Sequence, residues 1–154
     1  MTTGKSVSHT PADLPGKIIV LTGGGDGIGR ECALAYAREG ATVAILDRDL
    51  ETARQTASDA GGDSAAFHAD VSDGEATRVA IAAALARFGR IDAVHNNAGI
   101  ASPSKPLHET TEQEWDDLQR VNVKSVFWTT KFAFEALAAS KRSEEHTSEL
   151  QSPA

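Results

Sequence analysis

Hydrophobic and polar positions divide the chain into two alternating kinds of segment. The first kind is a short apolar run, rich in β-branched residues, which predicts a buried β-strand. These runs do not alternate strictly between apolar and polar residues, as expected for strands that are covered on both faces. The four predicted strands, the last with its exit loop, span residues 17–21, 41–47, 64–71 and 91–99.

The second kind of segment is longer and carries apolar residues on one helical face and charged residues on the other. Gly40 closes the first of these segments as a C-cap, and Ser72 or Asp73 caps the third. Thr111 and Glu114 form the T-x-x-E pattern of a capping box before a long fourth helix. The predicted helices span residues 29–40, 50–62, 73–89 and 112–140.

The order strand–helix, repeated four times, predicts an α/β fold with a parallel sheet and helices on both faces, which makes three layers. Sheets of this kind bind ligands at the carboxyl ends of their strands. Candidate chemistry is therefore expected in the segments that follow each predicted strand.

The first strand is followed by the glycine-rich stretch TGGGDGIGR, residues 22–30. Glycines tolerate positive φ and allow the backbone to approach a phosphate closely. The helix that begins near Gly27 directs its free N–H groups and its positive dipole end at such an anion. A plain tight turn between strand and helix is the alternative interpretation, but the strand before and the helix after favour a phosphate site.

The second strand ends at Asp47, which lies 18 residues beyond Gly29. A carboxylate at this position accepts both ribose hydroxyls of an adenosine and repels a 2′-phosphate, which favours NAD over NADP. The neighbouring Arg48 is a residue that tolerates a 2′-phosphate, although NAD remains the preferred prediction. A helix N-cap role is the alternative for Asp47, because Asp47 and Asp49 both stand where capping acids occur.

The third and fourth strands also end in polar residues. Asp70 and Val71 offer a carboxylate and a backbone N–H to the edge of an adenine ring, with an N-cap role for Asp70 as an equal alternative. The stretch NNAG, residues 96–99, places two amides where they can tie neighbouring loops together through hydrogen bonds to the backbone. Its alanine and glycine leave room for a flat ligand.

Composition narrows the class of protein. The net charge of −7 makes a nucleic-acid partner improbable, because phosphate backbones require a basic face. A single cysteine, Cys32, excludes an internal disulfide. No apolar run reaches the roughly 20 residues of a membrane helix, and no signal core is visible, so a cytoplasmic protein without a membrane partner is expected. The five histidines lack the spacing of a metal site, and no metal is predicted.

Four motifs in order at four strand ends resemble the short-chain dehydrogenase/reductase family over residues 17–140. These are T-G-x-x-x-G-x-G, the acid that ends the second strand, D-V after the third and N-N-A-G after the fourth. The resemblance implies a Rossmann-type doubly wound sheet, incomplete here at four strands, and hydride transfer between NAD(P) and an alcohol or ketone. The cofactor-binding residues that the motifs and this resemblance give are Thr22, Gly23, Asp26, Gly27, Ile28, Gly29, Asp47, Arg48, Asp70, Val71, Asn97, Ala98 and Gly99.

The resemblance also implies roles for individual residues. Thr22 steadies the glycine turn, and the backbone of Ile28 meets the pyrophosphate. Asn97 to Gly99 lie beside the adenosine ribose and the nicotinamide. Asn122 supports a proton-relay water next to a catalytic lysine. The alternative for Asn122 is structural: it bends its helix and bonds to the backbone.

Members of the family carry a catalytic serine and a Y-x-x-x-K motif beyond a fifth strand, and neither is identified here. The one tyrosine, Tyr36, lies on the first helix and is predicted to be a packing residue. Ser140 follows Asn122 by 18 residues with no strand between them, so it is not expected to be the catalytic serine. Asn122 is therefore the one residue of the catalytic set that the sequence supplies.

Residues 142–152, RSEEHTSELQS, resemble one reading frame of a widely used sequencing-library adapter; a genuine polar tail is the alternative. Three regions are expected: a flexible lead over residues 1–14, a partial NAD(P)-binding Rossmann domain over 15–141, and a non-native or disordered tail over 142–154. A chain that stops there leaves an unpaired edge on the fourth strand and an uncovered apolar helix face, both of which favour aggregation. That face carries Phe127, Trp128, Phe132 and Phe134.

Two functions are compatible with these patterns. In the first, the chain is the N-terminal part of an NAD-dependent oxidoreductase whose complete form turns over a small alcohol or ketone and forms a homo-oligomer. In the second, it is a dinucleotide-binding or regulatory module without catalysis. The relay asparagine favours the first, and the missing tyrosine and lysine favour the second for this polypeptide.

Overall fold

The computed structural model describes residues 14–101 and 105–149, which form four strands and five α-helices. The strands are β1 (Ile18–Thr22), β2 (Thr42–Asp47), β3 (Ala65–His68) and β4 (Ala93–Asn96). The helices are α1 (Gly27–Arg38), α2 (Leu50–Ala60), α3 (Gly74–Phe88), α4 (Glu112–Gln119) and α5 (Ser125–Glu149). A short 3₁₀ turn spans Leu107–Glu109, and a π-helical stretch, Arg120–Lys124, joins α4 to α5.

The four strands form one parallel sheet in the order β3-β2-β1-β4. Thr22, the last residue of β1, is in register with Leu46 on one side and Asn96 on the other. Asp47 at the end of β2 is in register with His68 at the end of β3. All four carboxyl ends therefore meet at one edge of the sheet, as the sequence predicts.

Each face of the sheet buries its own apolar cluster. On one face, Val20 and Leu46 pack against Ile81 of α3 and Ala133 of α5. On the other, Leu21, Val43 and Ile45 pack against Ala33 of α1 and Ala53 of α2. Burial of one such aliphatic side chain contributes about 1.5–3 kcal/mol. The three-layer α/β/α arrangement confirms the predicted fold class.

The helices begin at polar caps. Asp26, Asp49 and Asp73 accept hydrogen bonds from the first N–H groups of α1, α2 and α3. Asp73, and not Ser72, is thus the cap of α3. The predicted capping box is confirmed at α4, where the side chains of Thr111 and Glu114 each bond to the other's backbone N–H.

Two predicted strands are shorter in the structure. β3 ends at His68 and not at residue 71, because the chain turns at Asp70, whose carboxylate accepts a hydrogen bond from the Ser72 N–H. β4 begins at Ala93, two residues later than predicted. The residue before it, Asp92, accepts a hydrogen bond from the Ile18 N–H at the start of β1 through its side chain.

The predicted long helix is interrupted at Arg120–Lys124, which we call the π segment. Side chains bond back to the carbonyl four residues earlier, Ser125 to Val121 and Thr129 to Ser125, a pattern that bends helices. Helix α5 continues to Glu149. The last five residues lie outside the described part of the chain, and the foreign origin of residues 142–154 stays a prediction.

The aromatic face of α5 is partly exposed. Phe127 and Phe134 are 54% and 59% exposed, as expected for an uncovered helix face. Phe132 instead packs against the core, and Trp128 stacks on Phe132 with ring centroids 5.9 Å apart. In the described part of the chain, no helix is both long and apolar enough to span a membrane.

Candidate functional site

A cleft of about 620 Å³ opens at the carboxyl edge of the sheet. Clefts of this size accommodate small-molecule ligands and cofactors. Residues from all four strand ends meet there, together with part of the π segment. The predicted residues that line it are Gly23, Asp26, Ile28, Gly29, Asp47, Arg48, Asp70, Val71, Asn97, Ala98 and Gly99. Thr22, Gly27 and Asn122 are not among its lining residues.

The glycine turn packs so closely that a Cβ at any of four positions, Gly23, Gly24, Gly25 and Gly29, would lie under 3.0 Å from a neighbouring atom. Gly23 has φ +65°, and a Cβ there would lie 2.8 Å from the Cα of Ala98. A Cβ on Gly29 would lie 2.0 Å from the carbonyl oxygen of Gly23. The first turn of α1 is therefore drawn tightly against the end of β1, and its backbone is open to the cleft.

Hydrogen bonds join the ends of β1 and β4. The buried Thr22 Oγ1 accepts from the N–H groups of Asn97 and Ala98, both at 3.1 Å. Asn97 Nδ2 donates to the carbonyl oxygens of Thr22 and Gly23 at 3.1 and 2.9 Å. Asn96 Oδ1 accepts from Thr129 Oγ1 of α5 at 2.6 Å. The predicted side-chain-to-backbone tie is confirmed for Asn97, whereas Asn96 bonds to a side chain of α5 instead.

Helix α1 presents its N-terminus to the cleft. Asp26 caps it, with Oδ1 accepting from the Gly27 N–H at 2.7 Å, and the carboxylate also lines the cleft. Ile28, in the first turn, is 77% exposed at the cleft surface. The free N–H groups and dipole of this turn attract an anion, and Ile28 offers an apolar contact beside it.

Asp47 is held by backbone groups on two sides. Its Oδ2 accepts from the Gly25 N–H at 2.8 Å, and its Oδ1 accepts from the Asp49 N–H at 2.9 Å. Asp49 is the N-cap of α2, so the alternative role for Asp47 as a helix cap is wrong. A carboxylate oxygen accepts two hydrogen bonds, and each oxygen of Asp47 therefore keeps capacity for a ligand hydroxyl. The neighbouring Arg48 is exposed.

Asp70 also lines the cleft, from the turn between β3 and α3. Hydrogen bonds from the Ser72 side chain and N–H, with smaller contributions from the charges of Arg120 and Arg48, hold the pKa of Asp70 below its ordinary value. The N–H bond measures 2.9 Å. Asp73 caps α3, so the cap alternative for Asp70 is wrong as well.

Asn122 lies in the π segment and bonds to the backbone. Its Oδ1 accepts from the Ile100 N–H at 2.8 Å, and its Nδ2 donates to the Ile100 carbonyl oxygen at 2.9 Å. The structural alternative for Asn122 is therefore observed, and its relay role stays a prediction. It fixes the segment after Gly99, which lines the cleft.

Sequence reasoning missed several lining residues. The sequence predicts one unbroken helix over residues 112–140, which gave no reason to place α4 and the π segment beside the strand ends. The polar Asn122 in the middle of that helix was the one signal of an interruption. The missed lining residues are Leu46, Ala69, Ser72, Ile100, Asp117, Arg120 and Val121.

Tyr36 and Ser140 take structural positions. Tyr36, on α1, packs against the core beside Leu21 and Val43, and its hydroxyl lies 3.0 Å from His95 Nδ1. Burial raises the pKa of Tyr36. The hydroxyl of the buried Ser140 bonds to Asp92 at the start of β4. Within residues 14–101 and 105–149, no group of three His, Cys, Asp or Glu side chains is arranged to hold a metal ion.

Comparison with known proteins agrees with this geometry. A sequence profile described as short chain dehydrogenase matches residues 17–144. The chain belongs to the short-chain dehydrogenase family. Among curated relatives of this short-chain dehydrogenase chain, D-threitol dehydrogenase of Mycolicibacterium smegmatis is 39% identical over 117 residues, which cover 74% of this chain and 45% of the relative. Sorbitol dehydrogenase of Cereibacter sphaeroides is 39% identical over 129 residues, which cover 84% of this chain and 50% of the relative.

A solved structure shares the fold of this short-chain dehydrogenase chain. It is a 3-ketoacyl-(acyl-carrier-protein) reductase from Brucella melitensis complexed with NADH, with a TM-score of 0.77 and 35% sequence identity. The match covers 80% of this chain and 51% of the reductase. The chain thus spans about half the length of the relatives that it matches.

Proposed function

We propose that this chain is the NAD-binding part of an oxidoreductase that moves a hydride between nicotinamide and an alcohol or ketone. One observation carries the proposal: a single cleft is lined by the glycine turn, the first turn of α1, Asp47 and Asp70, the groups that a dinucleotide site in such a sheet uses. The named relatives are dehydrogenases and a reductase complexed with NADH, which supports the same chemistry.

The cleft residues fit such a cofactor. Gly23 and Gly29 let the turn pack tightly against the strand ends and line the cleft, so the backbone of the turn and the α1 N–H groups would hold the pyrophosphate. Asp47 would accept the adenosine ribose hydroxyls, Asp70 and Val71 would meet the adenine edge, and Asn97 to Gly99 would lie toward the nicotinamide. When bound, the nicotinamide ring supplies the hydride acceptor or donor.

The charges favour NAD over NADP. A 2′-phosphate placed at Asp47 would face that carboxylate, and Asp26 adds a second negative charge along the same cleft. Arg48 is exposed beside Asp47 and offers partial compensation only. We therefore expect the affinity for NAD to exceed that for NADP.

Substrate and proton transfer belong to the proposal for the whole protein. The coverage of about half of each relative supports the chain as the N-terminal part of a longer oxidoreductase, with Asn122 as its contribution to the proton relay. A small alcohol or ketone substrate, a homo-oligomeric whole protein and a cytoplasmic location are retained as predictions.

The second candidate is a dinucleotide-binding module without catalysis. The placement of the single tyrosine against His95, away from the cleft lining, favours it for the chain alone.

Isothermal titration of the 154-residue chain with NAD and NADP tests the proposal. We expect NAD to bind more tightly than NADP, and Asp47→Ala to weaken NAD binding. If NAD does not bind and Asp47→Ala changes nothing, the dinucleotide site is absent. The coding sequence beyond residue 141 separates the two candidates: a further strand, a serine and a Y-x-x-x-K motif there support the oxidoreductase, and a genuine stop after residue 154 supports the module without catalysis.

A further inference from the structure

The π segment contributes a cation to the cleft. Arg120 and Val121 both line it, as do Asp70 and Val71 of the turn between β3 and α3. Arg120 is near enough to Asp70 for its charge to contribute to the lowered pKa of that carboxyl. Two walls, one from β3 and one from the π segment, therefore enclose this end of the cleft.

Packing between α5 and α3 sets the separation of these walls. The Trp128 indole lies directly on Gly74 at the start of α3, where a Cβ would meet the ring at 2.8 Å. Val71 and Val121, one from each of these walls, both line the cleft.

Arg120 is oriented by an ion pair. Its Nη2 lies 2.6 Å from Asp117 Oδ1, one turn earlier in α4, and both side chains line the cleft. A guanidinium held at one end presents its planar face, and bases stack on arginine planes. The charge of Arg120 is already shared between Asp117 and the nearby Asp70, which makes Arg120 a poor ligand for the 2′-phosphate of NADP.

We propose that Arg120 is a base-recognition residue, which stacks its guanidinium plane on the adenine of the dinucleotide while Asp117 holds that plane in position. This inference rests on the proposed function and adds a residue and a role to it. Asp70 accepts a hydrogen bond from the amino group at the base edge, and the flat face of the ring lies against Val121 and Arg120.

The test is isothermal titration of the full chain and three variants with AMP, adenosine 2′,5′-bisphosphate, nicotinamide mononucleotide and NAD. Arg120→Gln removes charge and guanidinium, Arg120→Lys keeps the charge without the plane, and Arg78→Gln is the matched control. Arg78 forms the same i,i+3 ion pair with Glu75 at 2.6 Å but lies on α3, outside the cleft lining. Circular dichroism melts check that each variant remains folded.

Arg120→Gln is expected to weaken AMP and NAD binding by about two- to fivefold, the range of an exposed cation–π contact. Arg120→Lys should weaken both by a similar factor, and Arg78→Gln should change neither. Binding of nicotinamide mononucleotide should be unaltered in all three variants.

Three results overturn the inference. They are AMP binding by Arg120→Gln as tight as that of the unsubstituted chain, full affinity for AMP and NAD in Arg120→Lys, and a loss of affinity confined to adenosine 2′,5′-bisphosphate. The last result identifies Arg120 as a phosphate ligand. If the unsubstituted chain binds NAD and only these results appear, the proposed function stands; if it binds neither NAD nor AMP, both proposals fail.

Discussion

The carboxylate of Asp47 accepts a hydrogen bond of 2.8 Å from the backbone N–H of Gly25, which joins the end of β2 to the glycine turn after β1. The turn is further fixed by Thr56 of α2, whose hydroxyl donates to the carbonyl oxygen of Gly25 at 3.2 Å. A Cβ on Gly25 would lie 2.4 Å from Thr52 Oγ1. The proposed ribose contact and the shape of the proposed phosphate cradle therefore depend on the same side chain.

Replacing Asp47 by Asn should change both properties. Loss of the negative charge removes repulsion of a 2′-phosphate, so the ratio of NAD to NADP affinity should fall by about tenfold, or roughly 1.4 kcal/mol. Asparagine has one acceptor oxygen where Asp47 accepts from two N–H groups, those of Gly25 and Asp49. The lost hydrogen bond should cost about 1 kcal/mol of unfolding free energy. Titration calorimetry and urea unfolding measure the two effects.

Asp49→Asn is the matched control, since asparagine preserves the N-cap of α2 and position 49 is not part of the cleft lining. It should leave the affinity ratio unchanged. An unchanged ratio in Asp47→Asn itself would show that Asp47 does not select the cofactor.

Gly29→Ala should remove dinucleotide binding. Its Cβ would meet the Gly23 carbonyl oxygen at 2.0 Å and the Asn97 amide nitrogen at 2.5 Å, so the turn and the end of β4 must shift. Overpacking of this kind costs about 1–3 kcal/mol. Gly62→Ala is the comparison: its φ of +59° makes alanine unfavourable, but nothing lies within 4 Å of the added Cβ.

Urea unfolding should show both glycine variants to be less stable than the unsubstituted chain, with NAD affinity lost only in Gly29→Ala. Normal NAD affinity in a folded Gly29→Ala variant would contradict the close approach of this turn to the cofactor.

The strand ends were predictable because each one carries a polar residue directly after an apolar run. Thr22, Asp47 and Asp70 could be placed at one edge before any coordinates, since parallel strands align their carboxyl ends. The contribution of α4 and the π segment was not predictable. A π bulge depends on how Asn122 finds its partner at Ile100, a tertiary contact that a mid-helix asparagine signals but does not locate. Arg120 and Val121 therefore read as ordinary helix residues.

Asn122 should control the backbone at Ile100. Asn122→Ala removes the acceptor of the Ile100 N–H, and the amide hydrogen of Ile100 should exchange about tenfold faster, as for the loss of about 1.4 kcal/mol of local protection. Asn122→Asp keeps an acceptor at that N–H and loses only the donor to the carbonyl, so it should keep most of the protection. Hydrogen exchange followed by NMR reads this one amide directly.

Equal exchange rates at Ile100 in the unsubstituted chain and in Asn122→Ala would contradict this role, because Asn122 would then not hold the backbone that follows Gly99. The amide of Val43, within the core, is the internal reference, since its strand should be unaffected by either substitution.

Glu114 should make the stability of α4 depend on pH under acidic conditions. Hydrogen bonds from Lys105 and from the N–H and hydroxyl of Thr111 lower the pKa of Glu114 from 4.5 to about 2. A carboxyl whose pKa is lower in the folded state contributes stability above the unfolded pKa of 4.5, and this contribution is lost as the pH falls toward 2. Urea unfolding between pH 6 and pH 2 should therefore show a free energy of unfolding that declines as the pH falls. In Glu114→Gln this decline should be smaller.

Glu112→Gln is the control, because it removes one charge from the same helical turn but leaves the contacts of Glu114 intact. Its free energy of unfolding should decline with pH as much as that of the unsubstituted chain. A carboxyl ¹³C titration that places the midpoint of Glu114 near 4.5 would disprove the effect, because the folded and unfolded states would then bind protons alike.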